Sequence, residues 1–116
     1  MDKEIVVLSL GGSLVSTKGG IDAGFLKRFG ELIASYCNDK RFVIVVGGGK
    51  AARDYVQAAE KITNLENSEK DWIGIYATWL NAALVKSAFG ERAHGKIGSD
   101  PHERLDFREG ILVAGG

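Results

Sequence analysis

The chain carries one cysteine, Cys37, in 116 residues. An intrachain disulfide is therefore excluded, and the composition suits a reducing compartment. Cys37 falls on the apolar face of a helical pattern, which predicts core packing rather than catalysis. Excess charge is also missing: 15 lysines and arginines balance 15 aspartates and glutamates. No overall field draws the chain to nucleic acid or to an anionic membrane surface, so neither is expected as a partner. No apolar run approaches the ~20 residues that cross a bilayer. Met1, Asp2, Lys3 and Glu4 lead into a strand-length run without a secretory hydrophobic region, and a cytoplasmic protein is the expectation. His94 and His102 have no partners at metal-ligand spacing. No protein-held metal site is expected, and both histidines read as loop surface. There is no Gly-x-Ser-x-Gly elbow, no Ser/His/Asp constellation and no internal repeat.

What the chain does have is three apolar runs that each end in glycine. Residues 5–10 run into Gly11, Gly12 and Ser13; residues 42–46 run into Gly47, Gly48 and Gly49; residues 111–114 run into Gly115 and Gly116. Helical patterns separate the runs, which predicts buried parallel strands whose C-terminal ends open onto one sheet edge. Glycine there lets backbone approach a ligand and turns N–H groups toward an anion. A phosphate or nucleotide crevice is the expectation. With 45% hydrophobic residues in a chain of this length, one α/β domain can form.

Asp22 is placed as an N-cap, with Phe25, Leu26, Phe29, Leu32, Ile33 and Tyr36 on one face of the helix it opens. A second helix follows Gly49 and fades near Thr63. Ser68 and Asp71 have capping-box spacing, and a third helix is predicted from about Glu69 to about Ala88. That helix is apolar nearly all round, with Trp72, Tyr76, Trp79 and Leu80 among its residues. Such a helix needs cover on several sides: either a subunit interface or a central place in a larger monomer. Phe89 to Glu109, rich in glycine and charge, reads as a long loop, and one of that length in a compact domain is usually functional, mobile or holds elements that the pattern does not show.

The first glycine cluster fails the G-x-x-x-x-G-K-S/T pattern, because Thr17 stands where the second glycine belongs. Gly47 to Ala52 reads as G-x-G-x-x-A, but a polar loop and another helix follow, not the strand that a dinucleotide site requires. What remains is a glycine turn at a helix N-terminus with Lys50 and Arg53 on the first turn. Cations there oppose the helix dipole, and a bound phosphate would offset that cost. Asp71 is either a capping residue or a carboxylate accepting hydrogen bonds from a sugar diol, and from spacing alone capping is favoured.

Four blocks together carry a resemblance: VLSLGGSL at 7–14, VIVVGGGKAAR at 43–53, DWIGIYATWLNA at 71–82 and ILVAGG at 111–116. The chain resembles the amino acid kinase superfamily, and within it the uridylate (UMP) kinases of the archaeal type. The resemblance implies a three-layer αβα sandwich with a mainly parallel sheet, of which residues 1–116 form the N-terminal, phosphoryl-acceptor side. The half that binds the ATP base is absent, and the chain alone is expected to be inactive. The implied activity of the intact protein is Mg2+-dependent transfer of the ATP γ-phosphoryl group to UMP, a step of pyrimidine nucleotide biosynthesis. A homo-oligomer, hexameric in the family, with a dimer contact through helix 69–88 is implied as well.

Carried over by motif, Gly12 and Ser13 approach the ATP phosphates, and Gly49 and Arg53 approach nucleotide phosphate. Gly48 lies against UMP, Asp71 holds the UMP ribose in place of its capping role, and Gly116 opens the loop around the UMP phosphate. Many family members place a catalytic lysine where this chain has Ser9; Lys18 and Lys50 are the candidates for that charge. Two alternatives stand beside this reading: another small-molecule kinase of the same fold, or a nucleotide-binding or storage protein without turnover. Val46 and the run Gly49 to Arg53 lack the histidines of acetylglutamate and isopentenyl phosphate kinases.

Overall fold

The structure is a computed structural model, and it describes residues 3–99 and 107–116. In chain order it contains β1 (Glu4–Leu10), α1 (Gly12–Val15), β2 (Ser16–Thr17), β3 (Gly20–Ile21), α2 (Ala23–Ser35), β4 (Lys40–Val46), α3 (Gly49–Ile62), α4 (Asn67–Ser87), a 3-10 turn (Gly90–Arg92) and β5 (Ile111–Gly115). The three expected strands form one parallel sheet in the order β1-β4-β5. β2 and β3 make a separate antiparallel ribbon.

Register explains which face the sheet buries. Val6 lies opposite Phe42, Leu8 opposite Ile44 and Leu10 opposite Val46, while Phe42 and Ile44 face Ile111 and Val113. These residues share one face and join a single core with Leu26 and Ile33 of α2, Ala82 and Val85 of α4, and Phe89. Successive crossovers step the same way across the sheet, from β1 to β4 to β5, which puts the connecting helices on the same face. The opposite face carries Ile5 and Val7, 49% and 66% exposed. Sheet and one helical layer of the expected sandwich are therefore seen among the described residues. α3 rests against α4 and buries no residue fully.

Local rules account for most boundaries. Asp22 caps α2 as expected, its Oδ1 accepting from Phe25 N at 2.9 Å. Cys37 packs against the core beside its helix, its thiol directed at the Ile33 carbonyl. α4 corrects one expectation. It begins at Asn67, with Glu66 as N-cap and no side-chain cap bond. Ser68 is already helical, so it cannot take the extended conformation that a capping residue needs, and Ser68 and Asp71 form no capping box. In the long segment after Phe89, Ala93 bridges Ile111 and Gly98 bridges Ala114, laying 93–98 along the outer side of β5. His102 lies outside the described residues.

Candidate active site

All three strands deliver their glycines to one edge. Gly47 N donates to Leu10 O at 3.1 Å and Gly116 N to Val46 O at 3.0 Å, so the strand ends are tied in sequence β1, β4, β5. The first two glycine turns touch through backbone. A Cβ on Gly12 would overlap Gly49 N and come within 2.6 Å of the Gly47 carbonyl carbon, and one on Gly49 would overlap the Gly12 carbonyl. Gly49 also has φ +58°, a conformation L side chains rarely adopt. Only glycine permits this approach.

Two buried polar side chains hold the second turn. Ser16, from β2, accepts from Ala51 N at 3.0 Å, satisfying one of the N–H groups that the start of α3 leaves open. Asn81, from α4 and 2% exposed, donates through Nδ2 to the carbonyls of Gly47 and Gly48, each at 2.9 Å. Composition and spacing signalled neither. Asn81 is a lone amide within the apolar stretch Ala77 to Val85, which is the one trace of it in the sequence.

The expected cations separate in the structure. Lys50 pairs with Asp54 one helical turn on. Arg53 is exposed and has no hydrogen-bond or ion-pair partner among the described residues. Lys18 sits exposed in the two-residue turn between β2 and β3, likewise without a partner among them. Ser13 is exposed beside buried Gly12.

Between α4 and the tips of β4 and β5 opens a cleft of about 460 Å3, walled by Val43, Val45, Ile75, Thr78 and Trp79, with Ala114 to Gly116 at the strand end and Gly98 and Ser99 beside them. That volume is within the range of small-molecule sites. Gly48 packs toward Gly74 and Thr78 of α4, a Cβ there lying 3.5 Å from Gly74 O. Asp71, Ile75 and Thr78 follow at i, i+4 and i+7, one helical face, so exposed Asp71 lies one turn beyond the cleft wall. The cleft is apolar along its sides, and at its glycine end the N–H groups of Gly98, Gly115 and Gly116 are taken up by the carbonyls of Val113, Gly98 and Val46. Its apolar walls suit a molecule with a flat apolar part.

His94 departs from its expected place on the loop surface. It is half-buried, and Nδ1 meets Glu109 Oε1 at 2.7 Å. The His94 hydrogen bond holds the Glu109 carboxyl below its ordinary range, with burial opposing more weakly. Arg41 Nε donates to Glu109 O at 3.3 Å, and its guanidinium lies 4.2 Å from the centre of the Phe107 ring. This cluster sits at the strand starts, away from the glycine edge.

Glycine turns of this kind occur in several nucleotide folds, and comparison with known proteins discriminates among them. The model of the amino acid kinase family matches residues 4–106. The chain belongs to the amino acid kinase family. A uridylate kinase of Thermococcus kodakarensis is 38% identical over 104 residues, 90% of this chain and 43% of that protein. Another, of Thermoplasma volcanium, is 45% identical over 84 residues, 72% of this chain and 36% of that protein. The crystal structure of uridylate kinase from Archaeoglobus fulgidus superposes with a TM-score of 0.76 at 33% identity, covering 97% of this chain and 50% of that one. This amino acid kinase chain thus spans half the length of these relatives or less.

Proposed function

We propose that the chain is the acceptor side of a UMP kinase, which transfers the γ-phosphoryl group of ATP to UMP. The observation that carries the reading is the backbone contact of Gly12 with Gly47 and Gly49. It sets two phosphate-type turns side by side, as an in-line transfer between two nucleotides needs. In this reading Gly12 and Ser13 face the ATP phosphates, and Gly49 and Arg53 take nucleotide phosphate. Gly48 and the apolar cleft hold UMP, Asp71 accepts from the ribose hydroxyls, and Gly116 starts the loop around the UMP phosphate. Transfer asks the protein for alignment and charge neutralisation rather than covalent participation. The setting proposed is the cytoplasm.

Lys50 can contribute despite its partner. An exposed i,i+4 ion pair is worth only about 0.3–0.5 kcal/mol, less than a contact to phosphate. Mg2+ is proposed to arrive with ATP and to neutralise phosphate charge. Among the described residues no group of three or more His, Cys, Asp and Glu side chains gathers to hold an ion, so the chain's own steps are binding and orientation. The alternative, a nucleotide-binding protein without turnover, draws support from Ser9 in place of a lysine and from the pairing of Lys50 with Asp54.

A homo-oligomer is part of the proposal. Trp72, Tyr76 and Leu80 of α4 are 52%, 57% and 63% exposed. The Tyr76 ring lies between Trp72, tilted to it at 5.8 Å, and Trp79, edge-on at 5.4 Å, an apolar face of the kind that interfaces use.

Trp79 supplies a direct test, because it lines the cleft. Added UMP should change its fluorescence saturably, and Trp79→Phe should abolish that change while Trp72→Phe preserves it. A signal that UMP leaves untouched, with another phosphorylated metabolite shifting it, would replace UMP as the acceptor.

A further inference from the structure

On its carbonyl side the glycine turn after β4 is held by one side chain, with Ala52 N also donating to Gly48 O at 3.3 Å. Asn81 Nδ2 reaches the carbonyls of both Gly47 and Gly48. All peptide bonds are trans, so each carbonyl and the N–H that follows it point in opposite directions. Fixing the Gly47 carbonyl on Asn81 therefore turns Gly48 N–H away from α4, and fixing the Gly48 carbonyl does the same for Gly49 N–H. Neither N–H has a hydrogen-bond partner among the described residues. Gly49 N is the atom against which Gly12 packs, so the Gly49 donor lies at the junction of the two glycine turns, with the Gly48 donor one peptide before it.

We propose that Asn81 is a positioning residue for nucleotide phosphate: it holds two carbonyls back so that the N–H groups of Gly48 and Gly49 are aimed into the crevice between the glycine turns. The inference rests on the kinase reading of that crevice and adds a residue to it. A triple glycine has no side chains to fix its peptide planes and many conformations open to it. Without Asn81 the Gly47–Gly48 plane would be free to rotate and its donor to leave the site, while the Gly48–Gly49 plane would keep only the bond from Ala52 N. Asn suits this position because its amide nitrogen carries two donor hydrogens, one for each carbonyl. Asn81 is nearly buried, so water cannot stand in for it without a cavity. Preorganised donors are worth most where they need no reorganisation on binding.

Asn81→Asp gives the most discriminating test. A carboxylate at this depth faces two carbonyl oxygens with no proton to offer, and burial raises its pKa. Once protonated it can donate to one of the two carbonyls. In the full gene product, Asn81→Asp at neutral pH should weaken UMP or ATP binding by roughly tenfold or more. As pH falls, its affinity should recover toward the wild-type curve, whereas Asn81→Ala should stay weak throughout. A role confined to packing would not produce that crossing of the two variants' pH profiles.

Amide NMR of the wild-type protein keeps the test open if a variant fails to fold. UMP, or inorganic pyrophosphate as a simpler probe, should shift the Gly48 and Gly49 N–H signals downfield while the Asn81 side-chain amide stays hydrogen-bonded. Wild-type affinity in folded Asn81→Ala, or Gly48 and Gly49 signals unmoved by a bound nucleotide, would overturn the proposal. If UMP fails to bind but pyrophosphate shifts both amides, the assignment of the acceptor falls and the role of Asn81 stands.

Discussion

Arg53 is the fifth residue of α3 and opens its second turn, one residue later than the first-turn place expected from the sequence. It is exposed, without a partner among the described residues, and close enough to the helix start for a cation to work weakly against the dipole. Its value is therefore expected in binding rather than folding. A charge-assisted hydrogen bond is worth about 1.5–3 kcal/mol, so Arg53→Ala should weaken nucleotide handling roughly tenfold to a hundredfold. Arg53→Lys should recover only part of the loss, since lysine lacks the bidentate fork. Thermal melts of both variants should match wild type; a large drop in Tm would mean that Arg53 supports the fold instead. Gly12 makes the opposite case. Its missing Cβ is what lets Gly47 and Gly49 approach, so Gly12→Ala should cost about 2 kcal/mol or more in stability, read from a denaturant melt. The glycines were legible in the sequence because each ends an apolar run. Ser16 and Asn81 were not, since their partners lie 35, 34 and 33 residues away and only the folded chain joins them.

Elements follow their local patterns except where the chain makes very short pieces or long-range polar contacts. β1, β4 and β5 read as strands because strands of a parallel sheet form near-continuous apolar runs. α1, β2 and β3 comprise four, two and two residues, too few for a periodicity to show. α4 reads correctly as a helix, yet its start was misplaced by two residues because Ser68 and Asp71 imitate a capping box. The segment 93–98 has only two bridges to β5, with six residues on its side spanning four on the other. The His94–Glu109 pair secures its first end. Glu109 titrates below its ordinary range in the folded chain. Its contribution to stability is therefore present above the unfolded carboxylate range and lost as pH falls through its lowered folded value. Stability measured against pH should fall on that acid limb, and Glu109→Gln should flatten the part owed to this group. An unchanged limb in Glu109→Gln would show that the pair contributes nothing there.

At the scale of the molecule, one sheet face is packed and the other, where Val43 and Leu112 are buried, leaves Ile5 and Val7 49% and 66% exposed, while α4 presents Trp72, Tyr76 and Leu80 to solvent. The proposed oligomer covers the α4 surface. Tyr76→Lys with Leu80→Lys should lower the molar mass measured by light scattering, and the helical circular dichroism should be kept. An unchanged mass would place the contact elsewhere. The central claim concerns the paired glycine turns, and the most direct measurement is phosphoryl transfer by the full gene product, with UMP and γ-labelled ATP in the presence of Mg2+. The expected result is labelled UDP, with Asp71→Asn raising the KM for UMP more than the KM for ATP. Saturable binding of UMP and ATP with no UDP formed would instead support the binding protein without turnover and contradict the kinase.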